Sequence, residues 1–146
     1  MASGRSHDFH GLVAAIIAAL VVAACYWQEV QGVDGLWALP LGVLFGAWLL
    51  SPDLDLWNTL PTKRWGPLRF LWAPYSWACT HRGVSHSWIL GPLSRLLYVG
   101  VPCAAIWGLG WEFAGIGPWV AFLAAGSVLG NWIHLLGDGL LPLQRR

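Results

Sequence analysis

Charge is what this chain has least of. Only 10% of its 146 residues are Asp, Glu, Lys or Arg, while 57% are hydrophobic and 12 are tryptophan. A soluble globule of this size has no interior able to hide so much apolar surface, so the composition points to one integral membrane domain over residues 1–146. Basic residues are also missing from the two short links between apolar stretches, which hold Glu29, Asp34 and Glu112 but no Lys or Arg. Arg5, Lys63, Arg64, Arg69, Arg82, Arg145 and Arg146 gather instead in the N-terminus, the long middle segment and the C-terminus. The positive-inside rule then places both termini and residues 52–86 on the cytoplasmic side of a bacterial inner or internal membrane. The same asymmetry accounts for the basic residues behind the net charge of +1, so no nucleic-acid partner is expected.

Cysteine is scarce too. Cys25, Cys79 and Cys103 form no CxxC pair, and a reducing cytoplasm disfavours a bridge to Cys79. Cys25 and Cys103 read as apolar packing residues, whereas Cys79, two residues before His81, is a candidate thiolate ligand. Val22-Ala23-Ala24-Cys25 resembles a lipoprotein cleavage site, but a His-Asp pair in the positive leading stretch is unlike an ordinary signal peptide, and a retained helix is expected. Internal repeats and low-complexity tails are absent.

What is abundant is apolar sequence in four stretches, 9–27, 34–50, 92–109 and 118–137. A bilayer core of ~30 Å takes about 20 helical residues, so the first and last fit well and the second is short. Pro52 should stop the second helix, and Gly117-Pro118 suits the start of the fourth. A third helix starting near Gly91-Pro92 leaves Arg95 within a turn of the interface, where its stem can snorkel. The expected fold is all-α: a four-helix integral membrane bundle with a long cytoplasmic-side interfacial segment, 52–91, between helices two and three. That segment interleaves Trp57, Trp65, Phe70, Trp72, Tyr75 and Trp77 with Lys63, Arg64 and Arg69, a composition suited to the headgroup layer and to contact with membrane lipid.

All five histidines and four of the aspartates sit at or just beyond the ends of these stretches, on one side if the stretches cross a membrane. Ser127, Asn131, His134 and Asp138 form one polar stripe on the fourth helix, which must face protein; His134 and Asp138, one turn apart, can bind one ion, with Asn131 in support. Asp53 and Asp55 lie just past the C-terminal end of the second helix, an end that already carries partial negative charge, and acids gathered there need a cation. Arg5 and Arg82 could supply it in a salt-bridge network; a divalent ion does so better, because His81 and His86 gather there as well. His7 and Asp8 add one more pair before the first helix, and His10 is close enough to support them.

SGRSHD at 3–8, SPDLDL at 51–56, HRGVSHS at 81–87 and HLLGD at 134–138, in that order, resemble a small bacterial metal-binding family of unknown function. More distantly they resemble the YdjM-like inner-membrane metal-dependent hydrolases, with Ser85 where threonine is frequent. The resemblance implies a metal site formed by His7, Asp8, Asp53, Asp55, His81, His86, His134 and Asp138. These donors exceed what one tetrahedral zinc uses, so one or two divalent transition ions are expected, zinc first, with manganese or iron as alternatives. The function expected is metal-dependent hydrolysis of an amphiphilic phosphoester or related substrate at the cytoplasmic membrane face, with Arg82 steadying the developing negative charge. The alternative is a non-catalytic accessory or assembly subunit, in contact with other membrane subunits or with further copies of itself, holding a structural metal or a polar network. Clustering of His with Asp at the boundary disfavours a tetrapyrrole, and the lack of a charged path disfavours a transporter.

Overall fold

The computed structural model describes residues 4–28, 35–79, 83–108 and 115–140, and all regular structure among them is helical. Helix α1 runs Gly4–Trp27, α2 Ala38–Trp48, α3 Leu60–Arg64, α4 Ala73–Ala78, α5 Leu90–Gly108 and α6 Gly117–Gly137, with short 3-10 turns at Pro52–Asp55, Gly66–Trp72 and Val84–His86. Two helices, α1 and α6, are long and apolar enough to cross a membrane; α5 carries a shorter apolar run, Leu90–Ile106. The expected set of four spanning helices therefore narrows to two candidates, and the second expected span is the one that falls furthest short. Helix α2 has 11 residues, about 16 Å of rise. A turn containing Gly35 at φ 79° precedes it, and at its other end the amides of Leu49 and Leu50 both donate to the Phe45 carbonyl before Pro52 ends the helical path.

Glycine decides how α2 meets α6. Gly42 and Gly46 on α2 face Gly126 and Gly130 on α6, two G-x-x-x-G runs laid against each other. A Cβ at Gly46 would lie 2.1 Å from the Ser127 carbonyl oxygen, one at Gly126 2.1 Å from the Leu39 oxygen, and one at Gly130 2.3 Å from the Val43 oxygen. No side chain fits between these backbones. Gly11 repeats the pattern on α1, where a Cβ would be 2.6 Å from that of Ala47.

The aromatic segment after α2 is a folded cap as well as a surface. Trp72 and Tyr75 are buried with Leu50, Leu54 and Cys79 in one apolar cluster, with Trp65 and Tyr98 packed against it. Phe70 and Trp77 point outward. Cys79 belongs to this apolar cluster, and the expectation of a thiolate ligand gives way to its role in packing. Arg95 does not snorkel. It is fully buried, because the start of α5 sits against the 84–86 turn and offers the guanidinium acceptors on three sides.

Candidate metal centre

The starts of α1 and α5 and the ends of α2 and α6 meet, and four chain segments bring imidazole and carboxylate groups together there. His7 comes from the first turns of α1, Asp53 from the 3-10 turn after α2, His86 from the turn before α5, and His134 and Asp138 from the last turn of α6 and its cap. His134 Nε2 lies 3.6 Å from Asp53 Oδ2 and 3.6 Å from Asp138 Oδ2. His86 Nε2 lies 3.6 Å from Asp53 Oδ1 and 4.0 Å from Asp138 Oδ2. His7 Nε2 lies 3.2 Å from Asp138 Oδ1, and its ring stacks on that of His134 with centroids 3.9 Å apart. The donors form two overlapping triads, His7–His134–Asp138 and Asp53–His86–His134. A cavity of about 10 Å³, room for one ion or one water, is lined by His7, Asp8, Ser51, Asp53 and His134 among others.

Neighbouring groups fix which ring nitrogen faces inward. Ser51, fully buried, is hydrogen-bonded to His134 Nδ1 at 3.3 Å, which leaves Nε2 toward the two carboxylates. Ser85 Oγ donates to Asp55 Oδ2 at 2.5 Å and lies 3.1 Å from His86 Nδ1, turning that Nε2 inward as well. His134 Nε2 is buried without a hydrogen-bond partner among the described residues, and so is His7 Nδ1. A Cβ on Gly137 would come within 2.9 Å of His7 Nδ1, so a larger residue there would have to push the ring aside. Burial opposes ionisation of Asp53, but the His134 and His86 rings beside it outweigh that effect and hold the carboxyl far below its ordinary range.

The sequence-predicted residues thus divide. His7, Asp53, His86, His134 and Asp138 converge. Asp55 stands behind His86, 3.9 Å from Nδ1, in the place of a group that orients a ligand. Asp8 departs from the expected role: it lines the cavity, but its carboxylate is paired with Arg64, whose guanidinium also donates to the Trp48 carbonyl, and this competing cation draws it aside. His81 and Arg82 lie outside the described residues. His10 is exposed. Asn131 does not touch the cluster but accepts a hydrogen bond from Arg95 at 2.5 Å. Sequence reasoning misses Ser51 and Ser85 as supports, and with them the facing glycines that set the depth of α6 against α2. The two G-x-x-x-G runs, Gly42–Gly46 and Gly126–Gly130, are the available signal for that seam.

The comparisons with known proteins agree with the chemistry of this donor set. A curated protein from Aquifex aeolicus (strain VF5), named only as an uncharacterized protein, is 46% identical over 59 residues, which is 40% of this chain and 42% of that protein. The chain thus spans less than half the length of that relative. No solved structure matches. A family match supports the first of the two sequence resemblances and lends nothing to the YdjM-like hydrolases. It extends through His86 and stops short of His134 and Asp138, which the fold brings into the cluster. Residues 2–121 match the family described as uncharacterized metal-binding protein (DUF2227), and the chain belongs to that family.

Proposed function

We propose that this chain is a membrane-embedded metal protein that holds a divalent transition ion, zinc by preference, at the cytoplasmic end of its bundle, and that the centre serves hydrolysis of an amphiphilic phosphoester. One observation carries the metal reading. Ring nitrogens and carboxylate oxygens from four segments face one another at 3.2–4.0 Å, mostly too far for hydrogen bonds and close to the ~3–3.5 Å edges of a shell with ~2.0–2.2 Å bonds. With Nδ1 of His134 engaged by Ser51, its inward nitrogen is left facing two carboxylates without a hydrogen-bond partner among the described residues, an arrangement a cation relieves. Three imidazoles and two carboxylates without a thiolate suit zinc, then manganese or iron. The imidazole of His134 has only one nitrogen to give, so the described donors support one ion per chain, with Asp138 presenting one oxygen to His7 and the other to His86 and His134.

A membrane setting is supported by the outward faces. The apolar window of α1 is only 17% buried and that of α6 33%, unlike core helices of a soluble protein, and Phe9, Ile16, Ile17, Leu20 and Val21 face outward. Cysteine labelling of intact cells, in a background lacking Cys25, Cys79 and Cys103, should reach Gly32→Cys from outside and spare Lys63→Cys; the reverse pattern would invert the orientation.

An ion held at this site supplies Lewis acidity and lowers the pKa of a bound water. The chain's own part is to aim ligands and leave an approach. Ser51 and the Ser85–Asp55 pair fix two rings, and Asp53, 22% exposed, is the most open of the five donors and marks the side from which a substrate arrives. A second reading, a structural ion in a non-catalytic subunit, is favoured by the cavity itself, which admits an ion and no headgroup. Turnover decides between them. Wild type, Asp53→Ala and His134→Ala in nanodiscs, assayed on phospholipids and lipid diphosphates with and without chelator, should show a chelator-sensitive rate that both substitutions abolish; full metal occupancy without turnover establishes the structural reading.

A further inference from the structure

Arg95 is the least expected residue in this fold: a guanidinium at 0% exposure, whose charge Asp55 favours through space and not by a direct ion pair among the described residues. A purely packing role would be filled at lower cost by an apolar side chain, since a charge taken out of water must be compensated by its neighbours. Its compensation comes from acceptors on three different segments. Nη1 donates to the Ser85 carbonyl at 2.9 Å and to the Tyr75 hydroxyl at 3.3 Å, and Nη2 donates to Asn131 Oδ1 at 2.5 Å. Ser85 precedes His86 and its hydroxyl touches both Asp55 and the His86 ring, while Asn131 lies one turn before His134 on α6. The Tyr75 hydroxyl is fixed in turn by Ser94 at 3.0 Å. The space for this fork is reserved by Gly91, where a Cβ would come 2.4 Å from the Ser85 oxygen and 3.2 Å from Arg95 Nη2.

We propose that Arg95 is a positioning residue for the metal centre, a buried fork that ties the His86 turn to α6 and so sets the distance between the His86 and His134 imidazoles. It touches no ligand atom; it acts through Ser85 and Asn131. Arginine suits the task because its planar head offers several donors in fixed directions, which lysine cannot. The inference rests on the metal reading for its effect on affinity, but the tie itself exists without an ion.

Both aspects are read on the full chain in nanodiscs. Zinc affinity by chelator competition and amide hydrogen exchange over residues 83–91 in zinc-free protein are compared for wild type, Arg95→Met, Arg95→Lys and Asn131→Leu, with helix content by circular dichroism as the fold check. Arg95→Met should keep its helices, exchange faster over 83–91, and bind zinc about 10- to 100-fold more weakly, as loss of an outer partner does. Arg95→Lys, with its charge kept and its fork lost, should resemble Arg95→Met, and Asn131→Leu should show the same direction with a smaller change. Wild-type affinity and unchanged exchange in folded Arg95→Met overturn the proposal; if that variant does not fold, the same result in Asn131→Leu overturns it. Wild type that binds no zinc refutes the metal reading alone, because faster exchange in the zinc-free variants still upholds the tie and unchanged exchange still refutes it.

Discussion

Two of the helices packed on α6 hold it in opposite ways. Against α2 it meets backbone to backbone, with Gly42, Gly46, Gly126 and Gly130 leaving no room for a Cβ. Against the start of α5 and the residues just before it, α6 is tied by hydrogen bonds: the buried fork from Arg95 to Asn131, and Trp132 Nε1 donating to the Trp88 carbonyl at 2.8 Å. The first contact is apolar, has no slack and fixes how deep His134 sits against Ser51. The second is directional and fixes where the His86 turn stands. A donor cluster assembled from four segments needs both: close packing sets the frame, and hydrogen bonds aim the rings within it.

The largest effect is therefore expected at the glycine seam. Gly46→Leu forces a side chain into a space where even a Cβ would lie 2.1 Å from a carbonyl oxygen, and it should abolish recovery of folded protein, beyond the ~1–3 kcal/mol typical of overpacking. Size-exclusion profile and thermal unfolding in detergent check this; a well-folded Gly46→Leu would mean that α2 and α6 do not meet as described. Next comes a ligand. His134→Ala should leave the seam intact and lower zinc affinity by more than about 100-fold, above the cost of losing an outer partner. Smaller again, Ser51→Ala releases the His134 ring without removing it, and zinc affinity should fall by about 10-fold. Smallest is Asp8→Asn. Its partner Arg64 is 29% exposed, so the lost pair should cost less than about 1 kcal/mol of stability and leave zinc affinity unchanged. A large loss of affinity there would return Asp8 to the ligand set.

Much of the site is legible in the sequence because ligand chemistry is carried by residue type. His and Asp at the ends of apolar stretches mark themselves, and the i, i+4 spacing of His134 and Asp138 fixes a shared helix face through the helical period alone. What composition leaves open is the competition among charges. Nothing local tells Asp8, which pairs with Arg64 across 56 residues, from Asp53, which does not leave the cluster. Arg95 defeats a local reading for the same reason: a cation near a helix start looks bound for solvent until the fold supplies Ser85, Tyr75 and Asn131 as acceptors. The helical class follows from the apolar runs, but the length of α2 does not, because Gly35 and Pro52 trim it from both sides of a continuous hydrophobic stretch. The facing glycines are visible in the sequence yet silent there, since a G-x-x-x-G run acquires meaning only with its partner.

The most direct test of the metal centre is elemental analysis of the purified full chain after zinc loading and removal of loose ions, set beside His134→Ala and the exposed-site control His10→Ala. The expected result is one zinc per chain in wild type and in His10→Ala, with His134→Ala empty. Zinc absent from the wild type, or retained at equal stoichiometry in a folded His134→Ala, would contradict a centre built from His7, Asp53, His86, His134 and Asp138.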